Sequence, residues 1–144
     1  MRISGLWYLC DDGMIRPIIR GELQAADGSW VHAPFLVDTG ADRTVLSAEI
    51  SNALHLLPIA SSDRLSGIGG MAESLVVETG IRFTHDEDGK VVFRGQFAGF
   101  TDPEALDMSV LGRDILSLFA LIVDRQAETV CLLGQRHTYT IGIR

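Results

Sequence analysis

Short apolar segments separated by turn residues run along the chain and predict a mainly β structure. The segments MIRPIIRGELQ and SWVHAPFLVDT flank Ala26-Asp27-Gly28. An Asp-Gly pair between two apolar segments is a strong signal for a β-hairpin. The second strand of this hairpin is expected to end at Asp38, directly after Phe35-Leu36-Val37. The N-terminal segment MRISGLWYLCDDG is interpreted as a first strand.

The middle of the chain continues this pattern. The segment from Asp63 to Phe100 predicts two further hairpins, one turning at Gly67–Gly70 and the other at Asp86–Gly89. Before it, SAEISNALHL has apolar residues at near-helical spacing but is short and stops at Pro58, so it predicts a single turn or a small helix.

Three elements are predicted after Pro103. They are a buried strand over Met108–Gly112, a short helix over Arg113–Phe119 and a closing pair of strands over Leu121–Leu133. No linker, repeat or low-complexity segment interrupts the chain. The expected fold class is therefore all-β, mainly β with one short helix, in a single domain over residues 1–144.

Composition limits the possible partners. The chain has 144 residues, is 47% hydrophobic and carries a formal net charge of −7, which suits one domain with a real core. The acidic balance argues against nucleic acid or an anionic membrane as a partner, because no basic patch is available to release counterions. No apolar run approaches the ~18–20 residues of a membrane span, and no signal-peptide pattern is seen, so a cytoplasmic location is expected.

Cysteines and histidines do not indicate a metal or cofactor. Cys10 and Cys131 are far apart and fit no metal or redox spacing, so both are expected to be free thiols in strands. The four histidines also lack ligand spacing. We therefore expect no metal and no cofactor.

The tripeptide Asp38-Thr39-Gly40 places a carboxylate at the end of an apolar strand, where burying an unpaired charge costs several kcal/mol. One interpretation is an ordinary turn at a strand end. The other starts from Gly40, which lets the backbone bend so that its N–H groups face the carboxylate. A carboxylate that is held in this way and partly shielded from water can act as a catalytic group.

Two such carboxylates facing each other would form a catalytic pair. Like charges ~3 Å apart cannot both ionise, so the pair shares a proton; one member acts as general base on water and the other donates to a peptide carbonyl. This is the chemistry of aspartic proteases. The sequence contains one Asp-Thr-Gly, so the second aspartate must come from a second copy of the chain, at a two-fold axis.

Three spaced motifs extend this pattern: LVDTGADRTVL at 36–46, RLSGIGGMAESLVV at 64–77 and VLGRDIL at 110–116. In this order they resemble the retropepsin family, the homodimeric aspartic proteases typified by retroviral proteases, with cellular and bacterial relatives. The resemblance implies a closed β-barrel of the acid-protease type, a homodimer, and a peptide or protein substrate.

The resemblance also implies roles for the Asp38 loop. Asp38 corresponds to the catalytic aspartate, Thr39 to the residue whose hydroxyl bonds across the two-fold axis, and Gly40 to the position that leaves room for substrate backbone. Ala41 stands where many aspartic proteases have Ser or Thr. The pair here therefore lacks one hydroxyl donor to its anion, which should move activity toward mildly acid or neutral pH.

Further residues are implied to contact substrate. Gly67–Gly70 resemble the tip of a flap that closes over the substrate, with Ile68 at its apex, and Asp42 resembles one partner of an ion pair with Arg113 that links the loop to the helix, expected to be partly buried. The substrate-binding set implied by the resemblance is Ala41, Asp42, Arg43, Val45, Gly67, Ile68, Gly69 and Val110.

Some features depart from the retroviral pattern. The chain continues well beyond the predicted helix, as in the cellular and bacterial relatives, which leaves the arrangement of a terminal sheet between subunits open. Arg43 stands where an acid is common in retroviral enzymes, so preference at the outer substrate pockets does not carry over.

The sequence leaves two functions other than a protease to consider. A catalytically silent peptide-binding or scaffold domain with this fold is the main alternative, although such a domain would not need two carboxylates whose repulsion must be offset. A metal-dependent hydrolase built on the acidic cluster near Asp86 has no histidine spacing to support it.

Overall fold

The computed structural model describes residues 1–67, 70–134 and 140–142, with backbone alone for residues 61–67 and 70–72. Within these ranges, in chain order, the elements are β1 Arg2–Ser4, β2 Leu6–Leu9, β3 Ile15–Gln24, β4 Trp30–Val37, β5 Val45–Leu46, α1 Ala48–Leu54, β6 Ala60–Gly67, β7 Gly70–Thr84, β8 Lys90–Phe100, β9 Ser109–Leu111, α2 Arg113–Leu116, β10 Ala120–Asp124 and β11 Thr129–Leu133.

The first long hairpin is formed by β3 and β4, as predicted. The two strands pair antiparallel from Ile18 opposite Leu36 to Gln24 opposite Trp30. The turn between them closes with Ala25 N–H donating to the Ser29 carbonyl at 2.8 Å. Gly28 lies within it at φ +87°, a conformation that L side chains rarely adopt. Strand β4 ends at Val37, directly before Asp38.

A closed barrel follows from the strand pairing. The larger sheet has the order β2-β3-β4-β9-β5-β8-β7-β6, and a further pairing of β3 with β7 joins the sheet to itself. The two later hairpins, β6–β7 and β7–β8, turn at the predicted places. Phe35 and Phe83 are buried inside with ring centroids 6.0 Å apart, and each such ring contributes about 1.5–3 kcal/mol on burial.

A smaller sheet is made by the two ends of the chain. Its order is β1-β11-β10, and all its pairings are antiparallel. Trp7 of β2 connects it to the barrel, because its indole Nε1–H donates to the carbonyls of Asp124 and Thr129 at 3.1 and 3.3 Å. Both cysteines are free. Cys131 lies in β11 as expected, whereas Cys10 follows the end of β2, so its placement in a strand was wrong.

The described residues include two short helices. The segment predicted as a turn or small helix forms α1, which begins after Ser47, whose Oγ accepts from Ile50 N–H at 3.4 Å, and ends at His55 with φ 54°. Helix α2 is shorter than the predicted Arg113–Phe119. Its last turn tightens into bonds three residues apart, such as Phe119 N–H to the Leu116 carbonyl at 3.1 Å, which end an α-helix.

The Asp114 carboxylate fixes the loop between β4 and β5 to helix α2. It accepts the Thr44 N–H at 3.0 Å to each oxygen and the Thr44 hydroxyl at 2.7 Å. The Thr44 Oγ1 in turn accepts the Gly112 N–H at 3.1 Å. Thr44 is only 1% exposed. Without Asp114, its N–H and hydroxyl groups would therefore have no water molecule to donate to.

Replacing Asp114 is therefore expected to destabilise the fold. Asp114→Ala leaves the Thr44 N–H and hydroxyl donors buried without their acceptor, a loss of about 2–3 kcal/mol in the free energy of unfolding. Urea denaturation of the wild type and the variant measures it. Asp107→Ala is the matched control, since Asp107 is exposed in a nearby loop, and it should change stability by less than about 0.5 kcal/mol. Equal stability of Asp114→Ala and the control would contradict this assignment.

Candidate active site

Asp38 lies where β4 leaves the barrel. Its N–H donates to the Leu111 carbonyl at 3.2 Å and so continues the parallel pairing of β4 with β9. Its side chain is half-buried, and its Oδ1 accepts the Gly40 N–H at 2.9 Å. The backbone therefore bends around the carboxylate as the glycine predicted, and the carboxylate is oriented by the chain's own amide.

Arg113, the first residue of α2, holds the loop from the other side. Its Nη1 donates to the Thr39 carbonyl at 2.8 Å, and its backbone N–H donates to the Ala41 carbonyl at 2.9 Å. It also forms the predicted ion pair with Asp42. Arg113 thus holds the loop that carries Asp38 at three residues, Thr39, Ala41 and Asp42.

The expected burial of the Asp42–Arg113 pair was wrong. The side chains of Asp42 and Arg113 are 82% and 49% exposed, because both lie on the outside of the loop in the single chain. An exposed pair of this kind contributes about 0–1 kcal/mol. The main effect of the pair is therefore to orient the Arg113 guanidinium, and its contribution to the stability of the fold is small.

Gly112 allows α2 to approach the loop. A Cβ atom at this position would overlap the backbone carbonyl of Arg43, so a larger residue would push the helix and the loop apart. The glycine in VLGRDIL thus has a packing reason in the structure.

The structure brings together the predicted pocket residues Val45 and Val110. They are direct cross-strand partners, and Val110 also pairs with Leu36 of β4. Paired residues in a sheet share a face, so the three side chains form one apolar row. Ala98 of β8, opposite Val45, extends it. Leu36 and Ala98 were missed, because only strand pairing reveals that they join this row.

Alternation along β4 places the Asp38 side chain on the same face as this row. Phe35 and Val37 point into the core, whereas Leu36 points away from it. Since side chains alternate along a strand, Asp38 follows Leu36 on the outer face. The carboxylate and the apolar row therefore lie side by side on one surface.

The flap-like hairpin is described only up to its tip. Strands β6 and β7 pair as far as Gly67 opposite Gly70, which matches the predicted turn. Ile68 and Gly69 lie outside the described residues, so their implied contact with substrate stays a prediction.

Thr39, Gly40 and Arg43 are exposed in the single chain. The Thr39 hydroxyl forms no hydrogen bond with the described residues, and neither does the Arg43 guanidinium. Both groups are thus available to a partner or a ligand.

The described residues offer neither a cluster of metal ligands nor a membrane-spanning helix. No group of three or more His, Cys, Asp or Glu side chains in this part of the chain could hold a metal ion. Neither of its helices has the length and apolar character needed to cross a membrane.

The fold resembles solved proteases. EIAV protease complexed with the inhibitor HBY-793 superposes with a TM-score of 0.50 at 24% identity, over 71% of this chain and 86% of that chain. A retropepsin-like aspartic protease from Rickettsia conorii gives a TM-score of 0.57 at 19% identity, over 92% and 89%. A search of curated proteins gives no match. At these identities the likeness shows a retropepsin-like fold.

Sequence comparison with family models gives the assignment. The model described as aspartyl protease matches residues 25–115, which is more than half of the chain and contains β4, the Asp38 loop and most of α2. The chain therefore belongs to the aspartyl protease family.

Proposed function

We propose that the protein is a homodimeric aspartic endopeptidase whose active site combines Asp38 from each of two copies. The observation that carries this proposal is the Asp38 carboxylate itself: half-buried, oriented by the Gly40 amide at 2.9 Å, and placed beside an apolar row in which Leu36, Val45 and Ala98 are half-buried and Val110 is buried. A purely structural turn would not need the three contacts from Arg113 that hold its loop.

The proposed reaction is a water addition followed by loss of the amine. The pair of Asp38 carboxyls shares one proton; the ionised member takes a proton from water as the water oxygen bonds to the peptide carbonyl carbon, and the protonated member donates to the carbonyl oxygen. The C–N bond then breaks as one carboxyl gives its proton to the leaving nitrogen. The other carboxylate takes a proton from a hydroxyl of the addition intermediate, which becomes the product carboxyl group, so the pair again holds one proton. No cofactor is required by this sequence of steps.

Exposed apolar residues on the β2–β3 hairpin support the proposal that the second aspartate comes from another copy of the chain. The register of β3 with β4 starts at Ile18 opposite Leu36, so residues before Ile18 extend past the end of β4, at the level of the Asp38 loop. There Leu9, Met14 and Ile15 are 63%, 58% and 43% exposed. A cluster of exposed apolar side chains is typical of an interaction surface.

We infer that the partner copy covers this cluster, which we name the hairpin tip and define as Leu9, Met14 and Ile15. The tip is held in shape by Asp12, which accepts from Met14 N–H at 3.0 Å and pairs with Arg16 at 2.6 Å. The Arg16 hydrogen bond lowers the pKa of Asp12 to about 2, so this pair persists at the mildly acid pH at which the enzyme is expected to work.

The substrate would lie as an extended peptide against the apolar row, under the flap-like hairpin. Leu36, Val45 and Val110 would then contact side chains beside the scissile bond, and an apolar preference there is expected. Backbone amides at the flap tip would donate to substrate carbonyls.

Mixing wild-type and inactive chains tests the shared site. A heterodimer of wild-type and Asp38→Asn chains has one carboxylate and one amide and cannot share a proton, so excess Asp38→Asn should suppress the wild-type cleavage of a mixed peptide library toward zero. Specific activity of the wild type should also fall on dilution below the dimer dissociation constant.

The control for this experiment is Asp107→Asn, which changes an exposed aspartate outside the site and should leave activity unaffected in the mixture. If mixed dimers form by native mass spectrometry while activity is unchanged, Asp38 is a structural residue at a turn. If the wild type binds peptides in the same library but cleaves none, the protein is a binding domain.

The hairpin tip gives a second prediction. Leu9→Asp places a charge in the proposed interface, where desolvating it costs several kcal/mol, so the variant should be monomeric in analytical ultracentrifugation at concentrations where the wild type is dimeric. Leu57→Asp is the matched control, because Leu57 is 88% exposed and distant in sequence from the hairpin. A Leu9→Asp chain that dimerises like the wild type would rule out this interface.

Ala41 gives a third prediction, on pH dependence. Ala41→Ser adds a hydroxyl beside the Asp38 carboxylate and should stabilise its ionised form, which moves the acid limb of the bell-shaped activity profile to lower pH. The profile of kcat/KM from pH 3 to 8 measures the effect, with Ala41→Gly as a control that adds no donor. An acid limb that stays in place would contradict the role given to this position.

A further inference from the structure

A second surface on the outer face of the barrel has the features of a binding site. It is a cavity of about 350 Å³ between β2, β3 and β4. Ile18, Ala33 and Pro34 are its apolar lining, and Tyr8, Arg20 and His32 contribute polar atoms. None of these residues belongs to the site proposed above.

The cavity lies on the same face of the sheet as Asp38. Arg20 is opposite Pro34 in the β3–β4 pairing, and Ile18 is opposite Leu36, so these side chains share the face of the apolar row. Pro34 precedes Asp38 by four residues, which corresponds to about 13 Å along an extended strand. A substrate beside Asp38 would therefore need about four extended residues running along β4 to place a side chain in the cavity.

The cavity carries positive charge that no described carboxylate offsets. Like Arg43, Arg20 has an exposed guanidinium that forms no hydrogen bond or ion pair with the described residues, whereas Arg16, Arg82, Arg113 and Arg125 have acidic partners. The described lining includes no Asp or Glu. In a chain of net charge −7, an unpaired arginine beside a histidine in a cavity is a local exception.

Glu22, the nearest acid by strand pairing, is already engaged. It lies opposite His32, but it accepts from Arg82 Nε at 3.0 Å and from Lys90 Nζ at 3.5 Å. The hydrogen bond from Arg82 lowers the pKa of Glu22, so the carboxylate stays ionised and bound to these two cations. It does not neutralise Arg20.

We propose that this cavity binds an acidic side chain, Asp or Glu, of the peptide substrate at about four residues from the scissile bond. The inference rests on the proposed peptidase function. A guanidinium binds a carboxylate with two parallel hydrogen bonds. Tyr8 and His32 offer further polar contacts, and Pro34, which is exposed, would pack against the aliphatic part of the side chain. The enzyme would thus select substrates by charge away from the reacting bond.

Binding to an inactive chain tests the cavity separately from catalysis. On the Asp38→Asn background, isothermal titration compares acetyl-Glu-Ala-Ala-Leu-Leu-Ala-amide, whose Glu is the fourth residue before the Leu-Leu bond, with its Gln analogue. The Glu peptide should bind about tenfold more tightly, as expected for one charge-assisted pair, and its amide shift changes in NMR should centre on Arg20, Gly21 and His32. Arg20→Gln should remove the difference, and Arg20→Lys should restore part of it.

Arg125→Gln is the matched control, because it removes an exposed arginine that pairs with Glu128 and does not line the cavity, and it should leave the tenfold preference intact. Equal affinity for the Glu and Gln peptides, or an unchanged preference in Arg20→Gln, would overturn the proposal. Binding of free glutarate as tightly as the Glu peptide would also overturn it, since the cavity would then take small carboxylates rather than a peptide side chain. An Arg20-dependent preference in a chain whose wild type cleaves no peptide would refute the peptidase function and leave the cavity standing.

Discussion

The contact between the Asp114 carboxylate and Thr44 is the constraint on which the geometry around Asp38 depends. Helix α2 has only four residues, and so short a helix is not stable by itself. It is held by Ile115 and Leu116, which are buried in the barrel core. Core packing therefore fixes α2, Asp114 and its neighbour Arg113 fix the loop, and the loop fixes Asp38.

The division of the sheet into two faces is the second requirement. Phe35 and Val37 point into the core while Leu36 and Asp38 point outward, so a slip of one residue in β4 would bury the carboxylate and expose a phenylalanine. The turn at Gly28 sets this register, because its positive φ and the Ala25–Ser29 bond allow a single alignment of β3 with β4. The position of a proposed catalytic group thus depends on a turn ten residues earlier in the chain.

Local patterns predicted much of this fold, and the long-range contacts explain the rest. The hairpin turns, the strand end at Asp38 and the paired strands after α2 follow from turn residues and apolar spacing. Strand β5 has only two residues, too few for an alternating pattern to reveal it. The pairing of β3 with β7 that closes the barrel joins residues about sixty positions apart, which local patterns cannot predict. For the same reason Leu36 was not recognised as a neighbour of Val110.

In the candidate site, too, local sequence predicted some residues and long-range contacts revealed others. Asp38 and Gly40 could be identified because a carboxylate at the end of an apolar strand needs a local explanation. Asp114 was missed, since an acid after Arg113 looks like an ordinary exposed residue of a helix start until its bonds to Thr44 are seen. The exposure of the Asp42–Arg113 pair could not be predicted either, because exposure depends on what packs against the loop.

The terminal sheet bears on how two copies would associate. Strand β11 lies between β1 and β10 of the same chain, so each pairing in this sheet is made within one copy. In the proposed dimer we therefore expect the surfaces around the Asp38 loop and the hairpin tip to carry the association. Such a dimer would bury less apolar surface than one that also exchanged terminal strands. Its affinity would also depend on how well the two surfaces fit. In the proposed dimer each complete site would combine two Asp38 loops, so chain concentration would control how many active sites exist.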